Sequence, residues 1–133
     1  MATWTELVDL VRSSYEIDDE SPDMIKMVFS TGGAGDLRSQ LVFLWRQTLM
    51  EGTEEWVQIE SPFARVGSVD LRQALQEVGR IVCGGAAIQD DLVVIRHSVP
   101  LTNLDLNEFE RPLHLVTTTA DDLEKKLVGG DTY

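Results

Sequence analysis

A two-layer α+β domain is the fold class this sequence predicts. The expected element order is α-β-β-β-α-β-β-α, with a twisted antiparallel sheet and a long C-terminal amphipathic helix. Three observations carry it. From Phe109 onward, apolar residues fall at Phe109, Leu113, Val116, Ala120, Leu123 and Leu127, a single stripe along one side of a helix. Between Met24 and Ser61, three runs rich in β-branched and aromatic residues are joined by short turns, the pattern of an antiparallel meander. A helix-period segment from Leu71 then separates that meander from a second strand pair ending at Val99. A stripe as regular as the last one requires burial, and the upstream strands are the surface that can bury it.

In chain order, Thr3 and Glu6 have the spacing of a capping box, and Trp4, Leu7, Val8, Val11 and Tyr15 share one helical face. A helix from about Trp4 to Tyr15 is therefore expected. Five acids and Pro22 between Glu16 and Asp23 end it and predict a solvated connector. Met24 to Thr31 reads as a strand, with Ile25, Met27 and Phe29 alternating against Lys26 and Ser30. Gly32, Gly33, Ala34, Gly35 and Asp36 predict a turn. Ser39 to Met50 is a long second strand whose Leu41, Phe43, Trp45 and Leu49 share a face. Its other face mixes Val42 and Leu44 with Gln40, Arg46 and Thr48, so part of that face is expected to be covered as well. After a turn at Glu51-Gly52-Thr53, Glu55 to Ser61 forms a third strand with Val57 and Ile59 inward, closed by Pro62.

Ser68 is the expected N-cap of a second helix with the stripe Leu71, Ala74, Leu75, Val78 and Val82, stopped by Gly84-Gly85. Ala86 to Gln89 and Leu92 to Val99 form a hairpin about Asp90-Asp91. Asp105 and Glu108 offer a cap pair for the final helix. Pro112 falls inside its pattern and predicts a kink or a restart there, because proline removes one backbone bond and clashes one turn back. Val116-Thr117-Thr118-Thr119 is poor helix material, yet the stripe spans it. Gly129-Gly130 ends the helix.

At 133 residues the chain has the size of one domain, residues 1–133, with enough apolar sequence for a core without disulfides or metal. Its charge is the unusual feature: 23 acids against 11 bases give −12, a surface that repels phosphate backbones and anionic membranes. Nucleic acid and membrane are thus not expected partners, and partners that are basic or aggregation-prone when free are favoured. A single cysteine, Cys83, forms no internal disulfide and suits a reducing compartment. The N-terminal stretch is acidic and amphipathic rather than a basic and apolar leader, and no apolar run approaches the ~20 residues that span a bilayer, so a cytoplasmic protein is expected.

No catalytic constellation emerges. Gly32-Gly33-Ala34-Gly35 leads into a strand, not a helix N-terminus, and no lysine lies beside it, which argues for a turn and against a phosphate cradle. His97, His114 and Cys83 lack the short spacings of metal ligands. Cys83 beside Gly84-Gly85 is a conceivable nucleophile but reads better as a small buried apolar residue at a helix end. The acid clusters Asp18-Asp19-Glu20, Asp90-Asp91 and Asp121-Asp122 lack a calcium-loop pattern and read as solvated faces. Trp4 and Trp45 fit core anchors. Trp56 alternates with Gln58 and Glu60, which places it either on the polar face of its strand as a partner contact or under the second helix.

The stretch from Leu92 carries a further signal: LVVIRHSVPLTNLDLNEFERPLHLVTTTADDLEKKLVGGD. A strand ending in Val99-Pro100-Leu101, an Asn103-Leu104-Asp105 step, and a helix carrying Ala120-Asp121-Asp122-Leu123-Glu124 resemble the C-terminal half of the type III secretion chaperone-like fold, including its YbjN-type domains. The element order extends the resemblance over the whole chain as topology. The resemblance implies a homodimer that binds segments of other proteins, needs no cofactor and catalyses nothing; it does not imply a secretion system.

The expected function is accordingly a protein-binding, chaperone-like module for an extended or partly unfolded partner segment. Trp56, Val42 and Leu44 are the expected contact residues, and Leu71, Leu75 and Val78 the expected homodimer interface. The alternatives are an adaptor domain of the same fold that binds a folded partner and, third, a small enzyme using Cys83 or His97.

Overall fold

Short turns between apolar runs force neighbouring strands into antiparallel pairs. The computed structural model, which describes residues 2–32, 35, 37–129 and 133, has that arrangement. Its elements are α1 (Trp4–Ser14), β1 (Asp19–Ser21), β2 (Met24–Ser30), β3 (Ser39–Leu49), β4 (Glu54–Arg65), α2 (Leu71–Val78), β5 (Gly85–Gln89), β6 (Leu92–Pro100) and α3 (Leu106–Leu127). The six strands form one antiparallel sheet in the order β1-β2-β3-β4-β6-β5. This is the expected α+β order with one addition: the acidic connector contains the three-residue β1, paired with β2 from Asp19↔Lys26 to Ser21↔Met24.

All three helices lie on one face of the sheet. The stripe of α3, Phe109, Leu113, Val116, Ala120 and Leu123, is buried on Ile25, Met27, Val42, Leu44, Val57, Ile59, Phe63 and Ile95, in one core that also takes Trp4, Leu7 and Val11 from α1 and Ala74 from α2. Tyr15 meets Phe29 edge-on at 5.7 Å. Lys126 Nζ of α3 donates to Glu77 Oε2 of α2 at 2.8 Å, tying α2 to the same layer.

Local chemistry accounts for the element ends. Thr3 accepts from the Glu6 amide at the start of α1. Asp105 and Glu108 form a complete capping box at the start of α3. α3 then runs as one helix through Pro112 and does not restart there, because the buried stripe on both sides outweighs the bond that Pro112 withholds from the Glu108 carbonyl. Thr117 and Thr118 donate their hydroxyls to the Leu113 and His114 carbonyls one turn back, which satisfies those polar groups inside the helix.

Several expectations need correction. β4 does not stop at Pro62 but continues to Arg65, through a register shift between Pro62 and Ala64 that accommodates the missing N–H. The N-cap of α2 is Asp70, which accepts from the Arg72 and Gln73 amides, while Ser68 lies in a preceding 3-10 turn. α2 ends at Val78, leaving Val82 outside it and 99% exposed. The Gly32–Asp36 turn falls partly outside the described residues.

The largest correction concerns β3, whose inward face is Gln40, Val42 and Leu44, each 0% exposed, and not Leu41, Phe43 and Trp45. Its neighbours dictate this: Leu44 pairs with Ile25 on one side and Ile59 on the other, and Val42 with Met27. Gln40 is tolerated inside because its amide donates to Ser61 Oγ at 2.9 Å and to the Pro62 carbonyl at 2.6 Å, while Ser61 donates to the Leu41 carbonyl.

Candidate functional site

Side chains alternate across a pleated strand, so burial of Ile25, Met27, Val42, Leu44, Val57 and Ile59 under the helices sends their neighbours to the other face. Among the described residues, that face carries no helix. The register lays its residues in rows: Met24, Trp45, Gln58 and Ser98 in one; Lys26, Phe43, Glu60 and Arg96 in the next; Gln47, Trp56 and Pro100 in a third. Val28 and Leu41 pair beyond Phe43.

The apolar members form a patch. Phe43 and Trp45 stack with ring centroids 6.0 Å apart and planes inclined by 17°. Val28 and Leu49 are exposed, while Met24, Leu41, Phe43, Trp45 and Trp56 are half-buried. Leu49 and Trp56 also wall a shallow depression with Gln47, Gln58, Arg96 and Ser98.

The charged groups of this face and the Trp56 indole are already partnered. Glu60, only 3% exposed, accepts from Arg96 through Nε at 3.2 Å and Nη2 at 3.0 Å, and Arg96 Nη2 also donates to Gln89 Oε1 at 3.1 Å. Burial raises the Glu60 carboxyl above the ordinary value, against the opposing pull of Arg96. Lys26 pairs with Asp18 at 3.2 Å, and the Trp56 indole N–H donates to Glu54 Oε1 at 2.6 Å.

Trp56 therefore lies on the polar side of its strand and not under α2, which packs on the opposite face. Val42 and Leu44, expected as contact residues beside it, are core residues at 0% exposure and belong to no surface. The residues that do surround Trp56 include Trp45, Phe43 and Met24, which the alternation had assigned to the interior or left unassigned. The available signal was the unbroken apolar run Leu41-Val42-Phe43-Leu44-Trp45, which supplies both faces of one strand.

A second apolar surface lies at the far edge of the sheet. Leu71, Ala74 and Leu75 of α2 face Ala86 and Ile88 of β5 and Val93 of β6 across a groove of ≈ 300 Å³. Leu75 is 60% and Ile88 55% exposed. Leu71 and Leu75 thus line one groove, while Val78, packed against the core as Leu71 is, does not line it. β5 has a neighbour on one side only.

The residues weighed for chemistry do not converge with either surface. Cys83 is half-buried in the link between α2 and β5, and burial raises its thiol above the ordinary value, the direction opposite to activation. His97 is half-buried on the helix side of β6, opposite Ile59, while Arg96 takes the other face. His114 is exposed on α3. Among the described residues no group of three or more His, Cys, Asp or Glu side chains is arranged to hold a metal ion, and no helix is long and apolar enough to cross a membrane. No protein-family model matches the chain, and no curated protein matches it in sequence.

Proposed function

We propose that this chain is a non-enzymatic, cytoplasmic protein-binding module of the type III secretion chaperone-like kind, and that it holds a segment of a partner protein on the helix-free face of its sheet. The observation that carries the reading is the one-sidedness of the fold: α1, α2 and α3 share one face, and the other bears Phe43 stacked on Trp45 with Met24, Leu41 and Trp56 around them. Large aromatics gathered on an uncovered face are the composition of an interface centre. The raised thiol of Cys83 argues against nucleophilic chemistry there.

The same reading includes a homodimer, placed at the other apolar surface. β5 is an unpaired edge, its residues Gly85–Gln89 carry no charge, and Leu75 and Ile88 stand exposed beside it. An uncharged edge strand flanked by apolar side chains is suited to pairing with its own copy, which the overall charge of −12 would oppose elsewhere on the surface.

The test is a capture experiment from native cell extract with three forms of the protein: unaltered, Trp45→Glu, and Leu75→Asp. A partner retained by the unaltered and Leu75→Asp forms and lost by the folded Trp45→Glu form is the expected result. Identical capture by all three would remove the sheet face from function.

A further inference from the structure

The helix-free face also specifies what kind of segment fits it, and this inference rests on the protein-binding reading above. We infer that the segment is basic and docks as an amphipathic helix, with its apolar stripe on Phe43, Trp45 and Trp56 and its lysines or arginines over the acid-rich end of the sheet.

The case for a helix comes from the backbone. Phe43, Trp45 and Trp56, the centre of the patch, each pair with a neighbouring strand on both sides. An extended segment laid across them finds no free N–H or C=O to pair with, and burying its own unpaired amides on aromatic rings is costly. A helix satisfies its amides internally and meets the sheet with side chains alone. The charged groups of the face and the Trp56 indole do not require polar groups from the incoming segment either. Glu60 is held by Arg96, Lys26 by Asp18, and the Trp56 indole by Glu54. An apolar stripe can therefore close over these three groups without stranding them. A segment of this kind is unfolded when free, because an isolated short helix is marginal in water, and it orders on docking.

The case for a basic segment comes from the rim. The β1–β2 and β3–β4 turns lie at the same end of the sheet, since Arg46 bonds both Asp23 and Glu55 there. This end gathers Asp18, Asp19, Glu20, Asp23, Glu51, Glu54 and Glu55. The cations among them, Arg12, Lys26 and Arg46, are each in ion pairs with members of that set, and an excess of negative charge remains. The register brings Asp19 and Glu54 to the helix-free face itself, opposite Lys26 and Leu49. A second copy stacked here with its sheet ends aligned would set acid rim against acid rim. A basic helix meets complementary charge instead.

Three synthetic peptides of equal length test this by calorimetry and tryptophan emission: leucines at helical spacing among lysines, the same composition with leucines alternating, and the helical pattern with glutamates for lysines. The expected result is that the helical lysine peptide binds best, by about tenfold or more over both others. Binding should shift emission to the blue, weaken as salt is raised, and fall by at least about tenfold in Trp45→Glu and in Phe43→Gln, while Leu75→Asp leaves it unchanged. If the alternating or the acidic peptide binds equally well, with loss in Trp45→Glu, the helical or basic assignment is wrong and the sheet-face reading stands. If neither Trp45→Glu nor Phe43→Gln affects binding of any peptide, both fall. If Trp45→Glu turns a dimer into a monomer in light scattering, the occupant is a second copy and the inference is overturned.

Discussion

Glu60 and Arg96 face each other across β4 and β6 on the side of the sheet that has no helix, yet Glu60 is 3% exposed, about as buried as a core residue. Its carboxyl is raised by burial and only partly brought back by Arg96. Arg96→Met should therefore strand a buried carboxylate and lower stability by about 2 kcal/mol, toward the low end for a broken pair because Arg96 is 30% exposed. Adding Glu60→Gln should recover most of the loss. With a folded pKa above the unfolded one, Glu60 holds its proton longer in the native state, so stability falls as pH rises through that interval. The decline should be steeper in Arg96→Met and absent in the double variant, as measured by denaturant unfolding at a series of pH values.

Asp121 gives the opposite sign. Burial pushes its carboxyl up, but the hydrogen bonds and charge of Arg38, with further help from Lys125, hold it below the ordinary value. Its contribution is present above the unfolded pKa and lost as pH falls through the depressed folded one. Asp121→Asn should flatten the acid limb of the stability profile and cost about 1–3 kcal/mol at neutral pH. Unchanged acid unfolding in that variant would mean that Arg38 is not its stabilising partner.

Trp56 and Leu123 make a contrast between surface and core. Leu123, 6% exposed on the α3 stripe, should cost about 2–5 kcal/mol on change to alanine. Trp56→Ala, on the helix-free face, should cost about 1 kcal/mol or less despite the larger side chain, and should weaken partner binding by more than about 1 kcal/mol. Thermal melts of the two variants with a binding titration of the second provide the check. A large melting shift for Trp56→Ala would make it a structural residue.

At the β5 edge, Leu75 is 60% exposed in the single chain. Leu75→Asp should leave the melting temperature of the monomeric unit nearly unchanged and convert the proposed dimer to a monomer in light scattering at micromolar concentration. A dimer that survives the change would move the self-interface elsewhere.

α1 and α3 were legible in the sequence because a 3.6-residue stripe can face only one way: the α3 stripe, the Thr3 cap and the Asp105–Glu108 box all appear where spacing placed them. β2 and β4 were legible for the same reason, since Ile25, Met27, Val57 and Ile59 alternate with polar neighbours. β3 was not. With Leu41 through Trp45 all apolar, alternation offers two equal faces, and pairing with Ile25 and Ile59 chooses between them. Apolar count favoured the face with the aromatics, and the buried Gln40 bonded to Ser61 and Pro62 made the other one possible. That one inversion misplaces the candidate site: alternation leaves Trp56 between the polar face and the underside of α2, and puts its actual neighbours Phe43 and Trp45 in the interior. Pro62 misled because a bulge, invisible in sequence, lets the strand pass through it.

The position of α3 in the chain has a consequence for how the protein is made. The sheet is complete in sequence by Pro100, but the stripe that roofs β3, β4 and β6 is carried by residues 109–123. Arg38, at the start of β3, finds Asp121 and Glu124 only across that last helix. During synthesis the nascent sheet is therefore greasy on both sides until α3 has left the ribosome, one side awaiting its own helix and the other bearing Phe43 and Trp45. The core closes only when α3 arrives.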